Sequence, residues 1–415
     1  VTMIEESEKL KSSVEGKAAT LADALVPYSF GGTILTWLFT RNITKAISVL
    51  MVDFSCALKL SIPLAVLSAM REAGSHHITV KGGKYLEAVA EADTIVFDKT
   101  GTLTKAKPRV ADVVSFNGMK KEELLRIAAC LEEHFPHSMA NAVVGEARRR
   151  GLVHEEMHSR VDYIVAHGIA TYVGGERVII GSHHFVFEDE KAVIPPGRQA
   201  DFEALPTEYS HLYLAIGGEL AAVILIEDPL REEAAGVIKE LKELGIRQIV
   251  MMTGDSERTA RAIAARVGVD KYFSEVLPED KANFVEQEKR AGHKVIMVGD
   301  GINDSPALSA ADAGIAIREG AEIAREIADI TISGDGLRQL TTLKAISKGL
   351  MGRIHGSYRF VIGFNLGLIF LGIGGVMAPS TSAFLHNAST VGLSLRNMTN
   401  ILPAAKTEKE NEVRY

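Results

Sequence analysis

The sequence predicts an α/β protein: a doubly wound parallel sheet that carries an inserted α+β domain and is flanked by two transmembrane helical hairpins. Three observations lead there. Apolar residues gather at the two ends of the 415-residue chain. In the middle, short β-type runs alternate with helical periodicity, each run ending at a polar, Gly-containing turn. A long stretch with strand signals of its own separates the first of those runs from the next. Composition agrees: 47% hydrophobic and 24% charged residues exclude a disordered or collagen-like chain. Two cysteines permit at most one disulfide, and no Cys-x-x-Cys is present to build a zinc ribbon. A net charge of −7 argues against a nucleic-acid partner.

The first hydrophobic stretch runs from about Ala24 to Phe39 and is closed by Arg41. The second runs from Ile43 to Met70, interrupted by Asp53 and Lys59. The third, Phe360 to Ala378, has no charge and only Asn365 as a strongly polar side chain. The last, Thr381 to Leu402, carries His386, Asn387 and Arg396. A bilayer core takes ~20 helical residues. The third stretch meets that cleanly, whereas the others contain polar groups and read either as spans or as buried core helices. Lys344, Lys348, Arg353 and Arg359 before the third stretch, and Arg71, Lys81 and Lys84 after the second, put the middle of the chain on the cytoplasmic side. The chain begins at Val1 with no signal peptide, as expected of a fragment.

Within the middle, Thr94–Phe97, Gln248–Met252 and Lys294–Val298 are the expected sheet strands, and Glu232–Leu244 and Glu257–Val267 the expected helices, the latter opening at Ser256 as N-cap. In such a sheet a ligand sits beyond the C-terminal strand ends. The interruption contains the strand signals Tyr172–Gly181 and Tyr213–Ile216.

Asp98-Lys99-Thr100-Gly101-Thr102-Leu103-Thr104 follows directly on the first strand. An aspartate at a strand end, facing backbone N–H groups and a nearby cation, can attack a phosphoryl group and become an aspartyl phosphate. Phosphatases of this fold place a second Asp two positions later for proton transfer. Here that position is Thr100, so the phosphoenzyme should persist. Thr253-Gly254-Asp255 ends the second strand, with a hydroxyl and amides suited to phosphoryl oxygens. Lys281, in Pro278-Glu279-Asp280-Lys281, offers a positive charge, and Gly299-Asp300-Gly301-Ile302-Asn303-Asp304 ends the third strand with hard oxygen ligands suited to Mg²⁺.

This ordered set resembles the signature of P-type ATPases, from about Ser13 to Leu402, and within them the heavy-metal-transporting branch. The resemblance implies a haloacid-dehalogenase-like phosphorylation domain that uses ATP and Mg²⁺. It implies Asp98 as the phosphorylated nucleophile, with Thr100, Thr253, Gly254, Asp255 and Lys281 around it, and Mg²⁺ held among Asp98, Thr100, Asp300, Asn303 and Asp304. It implies a nucleotide site at Glu132, His137, Gly168 and Gly181. Two departures stand out: Ser138 replaces the usual proline after His137, and Ala166-His167-Gly168 keeps only the second glycine of a Gly-x-Gly. Asp228-Pro229, followed by Arg231, looks like the hinge back into the phosphorylation domain.

The branch usually carries Cys-Pro-Cys on the helix before the phosphorylation domain. Here the aligned residues are Phe54-Ser55-Cys56. Two thiolates favour Cu(I), whereas one thiolate with oxygen and nitrogen donors suits a divalent ion: Zn, Mn, Cd, Co or Fe. His386, Ser389 and Thr390 share one face of the last helix, and Asn365 could complete the set. Each has a plainer reading: Cys56 as a small buried hydrophobe, His386 as a packing residue, and Ser389, Thr390 and Asn365 as interhelical hydrogen bonders. Asp53 reads as ligand, gate or interfacial residue, and Lys59 as a stand-in counter-charge. The motifs resemble manganese- or zinc-exporting members more than copper exporters.

The expected organisation is a linker over 1–22 from an absent actuator domain, a transmembrane hairpin over 23–72, and the phosphorylation domain over 73–106 and 227–350. The nucleotide-binding domain falls at 107–226, a second transmembrane hairpin at 351–403 and a tail at 404–415. No Thr-Gly-Glu actuator loop occurs, so the chain reads as the C-terminal portion of an integral membrane exporter of a bacterial plasma membrane, with cytoplasmic catalytic domains. Its partners are the transported ion and membrane lipid. The alternatives are a non-catalytic fragment and a membrane-tethered phosphatase.

Overall fold

The computed structural model describes residues 13–105, 107–133, 138–152, 162–164, 168–207, 209–300, 304–317, 326–333 and 336–403. Along the chain these form α1 (Ser13–Thr40), α2 (Ile43–Leu50), α3 (Phe54–Ser75), β1 (Ile78–Val80), α4 (Gly83–Glu91) and β2 (Thr94–Asp98). Next come β3 (Arg109–Ser115), α5 (Lys121–Glu132), α6 (Ser138–Arg149), β4 (Asp162–Ile164), β5 (Gly168–Val173), β6 (Glu176–Gly181) and α7 (Gln199–Glu203). Then follow β7 (Ser210–Ile216), β8 (Glu219–Glu227), α8 (Ala234–Glu243), β9 (Gln248–Met252), α9 (Glu257–Val267), β10 (Lys271–Phe273) and α10 (Pro278–Arg290). The remainder is β11 (Val295–Gly299), α11 (Ser305–Ala310), β12 (Ala313–Ile317), β13 (Ile330–Ile332), α12 (Gln339–Ile373) and α13 (Pro379–Asn397).

Two compact units result. One takes in the described residues up to Ile95, Lys239–Arg247 and those from Ala282 on. The other comprises Val96–Ile238 and Gln248–Lys281.

In the first unit, β11, β12 and β13 pair in parallel, and β1 closes the edge antiparallel to β13. The three strands are buried throughout because helices cover both faces of such a sheet, which is why they read as unbroken apolar runs. The same unit holds the long helices. α1 begins by Ser13, so part of the segment expected as a linker is helical, and Pro27 sits inside it. The second hydrophobic stretch is two helices rather than one. It breaks at residues 51–53, where the Asp53 carboxylate accepts the N–H of Cys56 at 3.1 Å and so caps α3. α12 runs unbroken for 35 residues, about 52 Å at 1.5 Å per residue. The basic residues expected to flank a membrane span, Lys344 to Arg359, therefore sit on the helix itself. Among the described residues it is the one helix long and apolar enough to cross a bilayer. Gly372 lets α12 approach α2 closely, since a Cβ there would lie 2.5 Å from Ser48 Cβ.

In the second unit, β2, β9 and β10 are neighbours, β9 and β10 being parallel. The insertion is a six-stranded antiparallel sheet in the order β3-β8-β7-β6-β5-β4. Ala222, Ile224 and Ile226 of β8 face one core with α5 and α6, while Val223 and Leu225 face a second core with Phe116, Phe185 and Tyr213. Burial on both faces explains the continuous apolar run. The run expected as one strand at Tyr172–Gly181 is a hairpin: Gly174 and Gly175 both have positive φ, 59° and 89°, and turn the chain between β5 and β6. α9 ends at Gly268, φ 80°, as a left-handed C-cap. Ser256 occupies its N-cap position, but its hydroxyl faces Thr259 Oγ1 at 3.3 Å rather than the helix N–H groups.

Candidate functional site

Asp98 is the last residue of β2, fully within the strand's buried run. The chain then turns sharply: Thr100 is extended (φ −76°, ψ 125°) and Gly101 left-handed (φ 77°). A side chain at Gly101 would be strained there. The turn is braced from the second half of the fold. Thr104 Oγ1 accepts the Gly101 N–H at 3.0 Å and donates to Asp228 Oδ2 at 2.5 Å. Arg231 donates from Nε to Thr102 O at 2.8 Å and from Nη2 to Gly101 O at 3.3 Å, while its own N–H reaches Leu103 O at 2.9 Å. Asp228 and Arg231 thus hold the signature turn in shape. Their role was foreshadowed only as a hinge sequence, because a bracing contact across more than 120 residues leaves no local pattern.

Two ion pairs lie in this unit, one buried on both sides and one joining the buried Lys99 to the partly exposed Asp255. Lys281 Nζ lies 2.6 Å from Asp98 Oδ1. Lys99 Nζ lies 2.5 Å from Asp255 Oδ2. Lys281 reaches inward from the first turn of α10, which starts cleanly because Pro278 occupies the first helical position and the Asp280 carboxylate accepts the Leu277 N–H at 3.1 Å. A lysine 6% exposed is unusual unless paired. Lys99 was the residue sequence reasoning passed over: beside Asp98 it reads as a flanking charge, and only its burial reveals the pair. Thr253 is buried, its Oγ1 accepting the Asp255 N–H at 3.1 Å. Gly254 is exposed, and so is Thr100. Asp98, Lys281, Lys99, Thr253 and Asp255 therefore share one unit. They supply a carboxylate paired with an ammonium group, a second ammonium group and a hydroxyl, the kinds of group that receive a phosphoryl group.

Asp228 is half-buried, and its desolvation raises its pKa above the usual carboxylate range. The Thr104 hydrogen bond and the Lys99 charge oppose that rise.

In the other unit, Asp300 follows directly on β11 and is half-buried, and Asp304 is buried. A Cβ on Gly299 would lie 2.5 Å from Asp304 Oδ2, so glycine is required for that carboxylate to pack where it does. Asn303 lies outside the described residues.

Of the nucleotide candidates, Glu132 is buried at the end of α5. Gly168 and Gly181 are direct partners across β5 and β6. A Cβ on Gly168 would fall 2.3 Å from Phe185 Cδ1 and 2.5 Å from Ile180 O, so packing alone demands glycine there. His137 lies outside the described residues, as do Ala166 and His167.

Among the transport candidates, His386 Nδ1 faces Asn365 Oδ1 at 3.2 Å between α13 and α12, both side chains buried. The hydroxyls of Ser389 and Thr390 donate to the carbonyl of His386, at 2.8 and 3.0 Å, one turn back on their own helix. Cys56 is exposed on α3 rather than packed as a small hydrophobe. The described residues do not gather three His, Cys, Asp or Glu side chains around a common point. Lys59 is ion-paired with Asp23 of α1, which gives it a partner other than a vacant cation site.

Comparison with known proteins bears on this geometry. The model of the haloacid dehalogenase-like hydrolases matches residues 92–312, which include Asp98, Lys99, Thr253, Asp255 and Lys281. The chain belongs to that family, in its heavy-metal P-type ATPase branch. It is 33% identical over 395 residues to the zinc-exporting P-type ATPase of Mycobacterium marinum, covering 95% of this chain and 54% of that protein. It is equally similar, 33% over 395 residues and 54% of the relative, to the manganese-exporting P-type ATPase of Mycobacterium leprae. Relatives named as copper exporters match at 33% as well. A zinc-transporting PIB-type ATPase in the E2.Pi state superposes with a TM-score of 0.72 at 28% identity, covering 91% of this chain and 62% of that one. The chain spans about half the length of the curated relatives it matches.

Proposed function

We propose that this chain is the catalytic and ion-carrying part of an ATP-driven exporter of a divalent transition metal, working through an aspartyl phosphate at Asp98. The observation that carries the reading is the buried Asp98–Lys281 pair at 2.6 Å, set at the strand end beside Thr253 and the Lys99–Asp255 pair. An Asp98 oxygen attacks the γ-phosphorus of ATP; the new O–P bond forms as the bond to the β-phosphate oxygen breaks, and ADP leaves. Lys281 balances the charge on the transferring group, and the Thr253 hydroxyl with the Gly254 amide takes its oxygens. Thr100 cannot do the proton transfer that a second aspartate would, which favours a lasting phosphoenzyme over rapid hydrolysis.

The donor chemistry of the motif residues fits Mg²⁺, which prefers hard oxygens: Asp98, Thr100, Asp300, Asn303 and Asp304 are the residues that would hold it. Bound there, Mg²⁺ would supply charge neutralisation for the phosphate oxygens. Glu132, His137, Gly168 and Gly181 are the proposed nucleotide contacts. Cys56, His386, Asn365, Ser389 and Thr390 are the proposed ion path. The long helices, α12 foremost, are the proposed membrane part, with lipid as partner and a bacterial plasma membrane as location. Relatives at equal identity export zinc, manganese and copper; the single thiolate at Cys56 favours a divalent ion.

The test is acid-stable ³²P labelling from [γ-³²P]ATP. Labelling of the wild-type chain that disappears in Asp98→Ala is expected. Undiminished labelling in that variant sinks the assignment, and fast release of phosphate from small esters without a lasting phosphoenzyme favours a phosphatase instead.

A further inference from the structure

We propose that Arg258 is a positioning residue for phosphoryl transfer: with Thr259 it docks the 205–209 loop of the insertion onto α9, and so fixes how the nucleotide end of the insertion is presented to Asp98. This inference rests on the reading of Asp98 and of the nucleotide contacts given above.

It starts from how the insertion is joined to the strands that carry the site. The chain enters the insertion at β3 and leaves it at β8, and these strands pair antiparallel with Arg109 directly opposite Glu227. The two side chains also form an ion pair at 2.8 Å. Two connections that leave side by side act as one hinge, and a hinge absorbs rotation rather than preventing it. Fixing the orientation of the insertion takes a second attachment away from that point.

The first turn of α9 supplies one. Arg258 Nη2 donates to the carbonyl of Leu205, and Thr259 Oγ1 donates to the carbonyl of Tyr209 at 3.3 Å. Thr259 is 4% exposed, and its hydroxyl also meets Ser256 Oγ at 3.3 Å. This explains why Ser256 stands at the N-cap position without capping: its hydroxyl faces the contact instead of the helix N–H groups.

The receiving loop is held firmly on its own side. Leu205 is buried, Tyr209 packs against the core that contains Phe185 and Tyr213, and His211 Nε2 donates to the Pro206 carbonyl at 2.8 Å. A loop braced in this way passes its position on to the sheet behind it, which a loose loop does not. Because both acceptors are backbone carbonyls, the contact is set by side chains of α9 alone, and α9 is the side on which to test it.

Both sides of the contact lead directly to the chemistry. Arg258 lies three residues beyond Asp255, on the helix that follows Thr253-Gly254-Asp255. From Tyr209 the chain enters β7, whose Tyr213 is the register partner of Gly181, itself the partner of Gly168. Gly181 and Gly168 are the proposed nucleotide contacts, so the docked loop opens the strand beside them. A misplacement of about 1 Å, caused far from the reacting atoms, costs on the order of a hundredfold in rate. A contact that touches no nucleotide can therefore govern the transfer step.

The experiment is rapid-quench measurement of acid-stable ³²P labelling of the detergent-solubilised 415-residue chain at saturating [γ-³²P]ATP. Nucleotide affinity is measured separately, by calorimetric titration with a non-hydrolysable ATP analogue. Wild type, Arg258→Ala, Arg258→Lys and Thr259→Val are compared. Arg258→Ala is expected to slow labelling about tenfold or more while its analogue affinity stays within about twofold of wild type. Arg258→Lys, which keeps a cationic donor, is expected to recover part of the rate, and Thr259→Val, which keeps the shape and loses the hydroxyl, to slow labelling too. Wild-type rates in Arg258→Ala and Thr259→Val overturn the proposal and leave the Asp98 reading standing. A faster rate in Arg258→Ala overturns it as well, since the contact is then a restraint, and so does an equal loss of rate and affinity, since Arg258 then acts on binding. Absence of labelling in wild type overturns the Asp98 reading and this inference with it. Arg258 is exposed, so its substitution leaves the buried packing intact, and Arg258→Ala with Arg258→Lys decides should Thr259→Val fail to fold.

Discussion

At Asp98 the protein buries a carboxylate against Lys281, while the buried Lys99 pairs with a partly exposed Asp255. Removing one partner of a buried pair leaves an uncompensated charge, which costs about 3–5 kcal/mol. The Asp98–Lys281 pair is therefore costly to disturb, and its place at a strand end suits the proposed phosphoryl transfer. Asp228 is the opposite case. Burial raises its pKa, so the fold favours its protonated form. That contribution is present in full below the unfolded-state value of ~3.9 and is lost as pH rises through the higher folded-state value. Asp228→Asn keeps an acceptor for the Thr104 hydroxyl and removes the desolvated charge. We expect its thermal unfolding midpoint to exceed that of wild type near neutral pH, at about pH 7.5, with the gain vanishing in acid. A gain unchanged between the two pH values would show that the charge of Asp228 is not the cause.

Elements came out of the sequence unevenly. α9 and β9 occupy the expected residues, because an apolar period and clear termini mark both. The hairpin β5–β6 was read as one run although Gly174-Gly175 is a strong two-residue turn signal. The break between α2 and α3 was hidden because its local cause, Asp53, also reads as a stray charge in an apolar stretch. Gly168 carried two meanings: expected at the nucleotide, it is required by packing in any case. Gly168→Ala would drive a methyl into Phe185 and the Ile180 carbonyl, at a cost of about 1–3 kcal/mol. Faster hydrogen exchange of the β5 and β6 amides should report it. Unchanged protection would mean the sheet has room that its geometry does not suggest.

At the scale of the whole molecule, the unit that holds the long helices is tied together by polar straps the sequence did not announce. Residues Met398–Leu402, beyond α13, lie against α3 and α12. Arg71 donates to Met398 O and Asn400 Oδ1, both at 3.0 Å, and Arg353 to Asn400 O at 2.8 Å. The buried Glu72 carboxylate accepts the N–H groups of Ile401 and Leu402 at 2.6 and 2.8 Å. Lys344 Nζ donates to the carbonyls of Val89, Ala90 and Ala92, between 2.8 and 3.1 Å, closing the C-terminal end of α4. Glu72→Ala orphans two backbone donors, each worth about 1–3 kcal/mol when left buried and unpaired. We expect a lower unfolding midpoint and faster proteolysis near Leu402, whereas Glu72→Gln, which keeps acceptors, should fall between. Wild-type behaviour of Glu72→Ala would show the strap to be incidental.

The sequence by itself determined the architecture, a parallel α/β sheet with an inserted domain, and the order of motifs that places the chain in its family; it also singled out Asp98, the proposed nucleophile. These are legible because strand, helix and turn preferences are local, and because a phosphoryl-transfer site puts its residues at strand ends in sequence order. Only the tertiary structure decided which charges are buried and paired. Lys99 with Asp255, Asp228 and Arg231 bracing the signature turn, Lys59 with Asp23, and His386 with Asn365 all depend on contacts between distant segments. Burial, the quantity that makes such contacts matter, is a property of the packed fold and has no periodicity for a sequence to display.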